Sequence, residues 1–332
     1  MEHNILTNSN DTSLDVDSFI AKWRDEDSCI IQNTSGSTGN PKEIKIPKWK
    51  MKASAELTNS FFKLSELNSS LICMSPKYIG GKMMIVRSLI YNLKMTITPI
   101  NSNPLKDLNH QIDFAAMVPL QVEKIITENP EKLNLIKFLI IGGAPVSKEL
   151  ENELQQFNCS CYATFGMTET ISHFALRKLN NQNEPYRTLG DASIQEDNGE
   201  LTINCPSLEI SDLKTTDVIK LIDNKTFYWL GRSDFVINSG GIKLHPEQIE
   251  SKLSGILSGY NFFVFSKADK ELGSKVVMII ERESEIETLS QQLKKYLDKY
   301  EVPKNIYYLN KFKYTSSGKI DRNKTILKLN IE

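Results

Sequence analysis

Thr34, Ser35, Ser37 and Thr38 place four hydroxyls around Gly36 and Gly39, and Lys42 adds a cation, all within nine residues. The glycines let backbone N–H groups close on an anion. Pro41 stiffens the exit and removes one donor. The chemistry is polyphosphate binding. Lys42 follows Gly39 by three residues with no Ser or Thr behind it, so the G-x-x-x-x-G-K-[ST] pattern of P-loop ATPases is absent. Such a cluster is usually a bare turn; the apolar strand at 29–32 in front of it argues for a phosphate cradle.

Further along stands Phe165-Gly166-Met167-Thr168-Glu169-Thr170. Glu169 offers hard oxygens to Mg²⁺, Thr168 a hydroxyl to phosphate, and Phe165 a flat apolar face to a base. Thr168 as the cap of a helix N-terminus is the alternative, compatible with the first. Gly142-Gly143-Ala144-Pro145 is by itself a turn signal, and Asp217 in Thr215-Thr216-Asp217 is a carboxylate able to accept from two hydroxyls. Gly231-Arg232-Ser233-Asp234 leads through Asn238-Ser239-Gly240-Gly241 to His245-Pro246-Glu247, and Ser316-Ser317-Gly318-Lys319 lies near the end of the chain.

In this order the motifs resemble those of the adenylate-forming superfamily of acyl- and aryl-CoA synthetases, luciferase and peptide-synthetase adenylation domains. The match runs from about Cys29 to the C-terminus. The resemblance implies a two-step reaction: a carboxylate attacks the α-phosphate of ATP and expels pyrophosphate, then a thiol displaces AMP. It implies catalytic roles for Lys319, Glu169 and Arg232, with Glu169 holding Mg²⁺, and nucleotide contacts from residues 34–42, Gly142, Gly143, Ala144, Phe165, Gly166, Thr168, Asp217 and Arg232. Asp234 becomes the hinge of a mobile C-terminal domain, and Gly240 and Gly241 line a coenzyme A tunnel. Two positions depart from the pattern: Phe165 replaces the usual Tyr, and Thr216 the usual Gly.

The segment Tyr78-Ile79-Gly80-Gly81-Lys82, running on to Arg87, is similar to the family's acyl-pocket segment. Gly80 and Gly81 are expected to open space for a flat acid. Arg87, a cation in an apolar helix, either snorkels to water or meets a second substrate carboxylate. The second reading resembles the o-succinylbenzoate-CoA ligases of menaquinone synthesis, as does the stretch containing Ser172 and His173. The short chain before the phosphate loop also suits that subfamily, and with no carrier-protein segment after Arg322, coenzyme A is the expected acceptor. A general aryl- or acyl-CoA ligase, a stand-alone adenylation enzyme and a catalytically silent nucleotide-binding module stay open as alternatives.

The elements that must hold these residues follow from hydrophobic periodicity. Short apolar runs in SLICMSP, MTITPI, FAAMVP and IKFLIIGGAP alternate with helical stretches, one of them at about 49–64, which implies a largely parallel α/β sheet. From about Gly199 the pattern becomes hairpins, read as a β-rich subdomain, and after Gly231 a compact α+β unit follows. The expectation is a large α/β domain over 1–233 and a small mobile one over 234–332.

The 40 basic and 41 acidic residues of the 332 cancel, which favours a small carboxylic acid, ATP and coenzyme A as partners over nucleic acid or an acidic membrane surface. No apolar run reaches membrane-span length, and the polar start lacks a secretion signal. Five scattered cysteines, among them the strand neighbours Cys159 and Cys161, suggest a reducing cytoplasm. A homodimer over an open sheet edge is a further expectation.

Overall fold

The apolar runs form strands that alternate with helices. In chain order come α1 (Asn10–Arg24), β1 (Cys29–Asn33), β2 (Glu43–Pro47), α2 (Lys48–Phe62), β3 (Ser69–Ile72) and α3 (Ile79–Ile90). Then follow β4 (Lys94–Ile97), β5 (Ile112–Met117), α4 (Pro119–Glu128), β6 (Ile136–Ile141), α5 (Lys148–Leu154) and β7 (Ser160–Gly166). The structure, a computed structural model, describes residues 10–33, 43–179, 184–315 and 320–329. Strands β4, β3, β5, β6 and β7 lie side by side and parallel, as the sequence predicts.

The chain then reverses. Strands β8 (His173–Lys178), β9 (Tyr186–Thr188), β10 (Ser193–Asp197), β11 (Glu200–Cys205), β12 (Ile210–Asp223) and β13 (Thr226–Arg232) pair antiparallel. The hairpins form the β-rich part of the large domain. They extend the parallel strands into one 11-stranded sheet, because β8 pairs with β7 and β9 bridges β8 to β13.

One sheet face is covered by α1, α2 and α3. Helix α2 buries Met51, Ser54, Ala55, Thr58 and Phe62, the i, i+3, i+4 spacing of one face. Phe62 seats this helix across three parallel strands, with ring centroids 5.2 Å from Phe114, 5.5 Å from Phe138 and 5.2 Å from Tyr162. Helix α3 is buried all the way from Gly81 to Ser88. Helix α1 contributes Val16, Phe19 and Ile20 to the same core; this spacing is a helical signal that the acidic composition of the segment obscures. The opposite face packs on α4 and α5 through Val122, Ile125, Leu150 and Leu154, and here Cys159 and Cys161 are buried thiols.

The strand before the phosphate loop stands apart from the large sheet. β1 does not enter the sheet; it pairs antiparallel with β2, Asn33 opposite Glu43.

The C-terminal part has its own sheet and core. Strands β14 (Ile237–Ser239), β15 (Ile242–Leu244), β16 (Phe262–Asp269), β17 (Gly273–Glu281) and β18 (Asn305–Leu309) pack against α6 (Pro246–Leu253) and α7 (Leu289–Tyr296) through Ile249, Leu253, Leu289 and Leu293. The last helix, α8 (Arg322–Leu327), lies by the other face, where Phe263, Ile279 and Phe312 gather.

Candidate functional site

In open α/β sheets ligands bind beyond the carboxyl ends of the parallel strands. Two of the motifs lie there. Gly142, Gly143 and Ala144 follow β6, with the Gly142 N–H bonded to the Met117 carbonyl at the end of β5. Phe165 and Gly166 close β7. Phe165 stands half-buried among Phe174, Tyr186 and Phe227, its ring 5.3 Å from Phe227, which couples the parallel strands to the antiparallel half.

The segment 167–172 is a tight turn between antiparallel β7 and β8, not the start of a helix, so Thr168 caps no helix. Thr170 organises the turn. Its buried hydroxyl oxygen accepts from the Met167 N–H at 3.0 Å and lies 2.7 Å from the Ser172 carbonyl, to which it donates. Ile171 sits at φ 65, a conformation that β-branched residues rarely adopt. Gly166 is fixed by close approach, since a Cβ there would lie 2.2 Å from the Ser172 carbonyl oxygen. Glu169 projects from the turn as an exposed carboxylate. One such hard-oxygen donor suits Mg²⁺, which takes few protein ligands and fills its octahedron with phosphate and water.

Three residues past Glu169 the chain reaches the acyl-pocket candidates. Arg87 on α3 is 1% exposed, so it does not snorkel. Its Nε donates to Thr58 Oγ1 and its Nη2 to Ser172 Oγ, each at 3.0 Å. Thr58 donates to the Ser54 carbonyl at 3.2 Å. Its oxygen therefore accepts from His173 Nε2, 3.2 Å away, which leaves His173 Nδ1 to accept from Ser172 Oγ at 3.3 Å. The assignment requires a neutral imidazole. Burial and then the Arg87 charge hold the His173 pKa well below its usual value, as that requires. Arg87 itself, pulled down to about 9 by burial, forms no ion pair among the described residues. Its two neutral acceptors leave the charge uncompensated, and three of the five guanidinium N–H groups remain for another anion.

Gly81 does not open space as expected. A Cβ there would lie 2.2 Å from the Ser75 carbonyl oxygen, so its role is the close approach of α3 to the preceding backbone. Gly80 faces Met74, whose Cε would be 3.5 Å from an added Cβ. Tyr78 stands 49% exposed where α3 begins.

A second cluster lies on β12 and β13. Asp217 pairs with Arg232 across the strands, and Trp229 Nε1 donates to Asp217 Oδ1 at 2.8 Å. Arg232 donates from Nε at 3.2 Å, and from Nη2, to Asp234 Oδ2, which Thr216 also contacts at 3.2 Å. The departure from Gly at position 216 thus adds a hydroxyl bond to Asp234. Gly240 and Gly241 form the two-residue turn of the β14–β15 hairpin, both at positive φ. Among the described residues no hydrogen bond or ion pair joins this cluster to the Arg87 network. Residues 34–42 and Lys319 lie outside the described residues.

Thr58 and Trp229 escape motif matching, because each acts through a neighbour brought in by folding. Lys82 is similar: 8% exposed, it donates to Gln32 Oε1 at 2.7 Å, and burial with the Lys22 charge lowers its pKa to about 8. Its place in an apolar helix is the only sequence signal. No described helix is long and apolar enough to cross a membrane.

Known proteins resemble this chain over most of its length. The chain is 23% identical over 297 residues to the 2-succinylbenzoate–CoA ligase of Escherichia coli, covering 85% of this chain and 65% of that one, a little under two thirds of its length. An acyl-CoA synthetase (AMP-forming)/AMP-acid ligase II-like protein from Dyadobacter fermentans is 32% identical with a TM-score of 0.64, covering 97% of this chain and 95% of that one. The o-succinylbenzoate coenzyme A synthetase of Bacillus subtilis, solved with ATP and magnesium, shares the fold at 22% identity and a TM-score of 0.77, over 89% of this chain and 69% of that one. With a family profile described as AMP-binding enzyme matching residues 4–197, the chain belongs to the AMP-binding enzyme family.

Proposed function

We propose that this chain joins an aromatic dicarboxylic acid, o-succinylbenzoate, to coenzyme A at the expense of ATP. The observation that carries the substrate class is Arg87, a buried cation with no acidic partner among the described residues. A carboxylate on the substrate supplies the missing anion, while Ser172 and Thr58 orient the guanidinium and neutral His173 adds no competing charge. Simple fatty acids offer nothing to that group.

The acid's other carboxylate oxygen attacks the α-phosphorus of ATP, and the bond to pyrophosphate breaks. Residues 34–42 hold the departing phosphates through backbone N–H groups and Lys42. Glu169 on its exposed turn would hold Mg²⁺, which would supply charge neutralisation at the phosphates. Gly142 to Ala144 and the half-exposed Phe165 ring border the adenine, and Asp217 with Arg232 engages the ribose. Lys319 stabilises charge on the pentacovalent phosphorus. In the second step the coenzyme A thiolate attacks the acyl carbon and AMP leaves. Between steps the unit over 234–332 turns about Asp234, bringing Gly240 and Gly241 towards the thiol's path. The separate sheet and core of that unit support such a motion. We place the reaction in a reducing cytoplasm, in keeping with the five scattered cysteines.

ATP–pyrophosphate exchange measured against a panel of mono- and dicarboxylic aromatic acids tests the reading. Exchange should be fastest with o-succinylbenzoate, and adding coenzyme A should yield its thioester. Exchange driven by simple aryl or fatty acids but not by o-succinylbenzoate would overturn it in favour of a general acyl-CoA ligase.

A further inference from the structure

A carboxylate that binds a ribose works only while its oxygens stay aimed at the sugar. For Asp217 that aim depends on an irregularity in the sheet. Along β12 and β13, Asp217 pairs with Arg232 and Val218 with Gly231, but Ile219 then pairs with Trp229, leaving Leu230 as an extra residue. This is a β-bulge. In unbroken register Leu230 would oppose Ile219, and Trp229 would oppose Lys220 on the other face. The extra residue instead puts Trp229 opposite Ile219, on the face that carries Asp217. There the indole Nε1–H meets Asp217 Oδ1 at 2.8 Å.

The bulge is held from outside the strand pair. Gln248 on α6 donates its side-chain amide to the carbonyls of Trp229 and Leu230, at 3.3 and 3.0 Å. The carbonyls at the bulge thus find a partner on α6 in this arrangement of the C-terminal unit. The electrostatics agree. Burial pushes the Asp217 pKa up, while first the Trp229 hydrogen bond and then the Arg232 charge draw it back towards the ionised form.

We infer that Trp229 is the positioning residue for nucleotide ribose recognition: its indole pins Asp217 Oδ1 and leaves Oδ2 turned to the sugar hydroxyls. The inference rests on the adenylation reading, and it names a residue outside every motif of the sequence. Phe in place of Trp229 keeps an aromatic ring but loses the N–H. His keeps a ring donor.

The test is titration calorimetry of ATP, 2′-deoxy-ATP and 3′-deoxy-ATP, with magnesium, into the wild type, Trp229→Phe, Trp229→His, Asp217→Ala and the Trp229→Phe/Asp217→Ala double variant. Pyrophosphate-exchange kinetics accompany it. Trp229→Phe should weaken ATP by ~10-fold, the scale of one hydrogen bond to a charged group, and the deoxynucleotides by less. It should add nothing in the Asp217→Ala background. The KM for ATP should rise by a similar factor with kcat nearly unchanged, and Trp229→His should recover part of the loss. Equal weakening of all three nucleotides, or a further loss in the Asp217→Ala background, would show a merely structural role and overturn the assignment of Trp229 alone. A wild-type chain that binds no ATP would overturn the adenylation reading, and this inference with it.

Discussion

Arg87 Nη2 and Ser172 Oγ lie 3.0 Å apart although 85 positions separate them in the chain. Their bond ties the buried helix α3 to the turn that presents Glu169. The carboxylate proposed to hold Mg²⁺ and the side chains proposed to meet the acid are therefore linked by one short stretch, 169–173. A displacement at either end reaches the other through backbone that has little freedom to yield.

Replacing Arg87 with Met should separate stability from function. Removing an uncompensated buried charge is expected to raise unfolding stability by about 1–3 kcal/mol. The same change should raise the KM for an aromatic dicarboxylic acid by ~10²-fold, and that for monocarboxylic analogues far less. Urea unfolding and exchange assays on one preparation measure both. A uniform loss across all acids would contradict the role given to Arg87.

Lys82 should leave a mark on the pH dependence of stability. Its pKa falls from 10.5 to about 8 on folding, so between those values the unfolded chain binds more protons and stability rises with pH. The cost of holding the charge is fully present below about 8. Lys82→Met should therefore be more stable than wild type at pH 7, by up to about 3 kcal/mol, with the gap closing towards pH 10. A pH-independent gap in chemical-denaturation curves would refute this.

Gly166→Ala should destabilise the chain by roughly 2–4 kcal/mol, because the new methyl would meet the Ser172 carbonyl and backbone cannot rotate away. Displacement of the β8 start should also weaken binding of the dicarboxylate. Gly241→Ala makes an informative control: nothing lies within 4 Å of its added Cβ, so its cost comes from backbone strain at positive φ.

Lys319→Ala is expected to slow adenylate formation by at least ~10²-fold, the scale for a lost transition-state charge partner. Thioester formation from premade acyl-adenylate should survive. Single-turnover measurements of the two half-reactions distinguish this from a general loss of folding, in which both would fail together.

Much of the architecture was legible in the chain because its signals are local. Four apolar runs ending at Pro, Gly or Ser marked the parallel strands β3 to β6, and hairpin spacing marked β11 to β13. Helix α1 was missed because Val16, Phe19 and Ile20 lie among acidic and polar residues whose composition reads as loop. The placement of β1 and the continuity of the sheet were not legible, since strand partnership over long separations depends on which edges are available once other strands have paired.

Glu169, Asp217 and Arg232 were singled out by their resemblance to family motifs, and Arg87 as a cation in an apolar helix. What the residues 165–170 form was decided only in three dimensions: antiparallel pairing of β8 with β7 makes a turn where a helix start was the plain alternative. The state of Arg87 was also decided there. An arginine in an apolar helix can reach water or stay inside, and the burial of α3 beneath α1 and α2 removes the first option. Desolvation then makes an unpaired charge costly, and this cost, which no sequence pattern carries, is what underlies the proposal of a second substrate carboxylate.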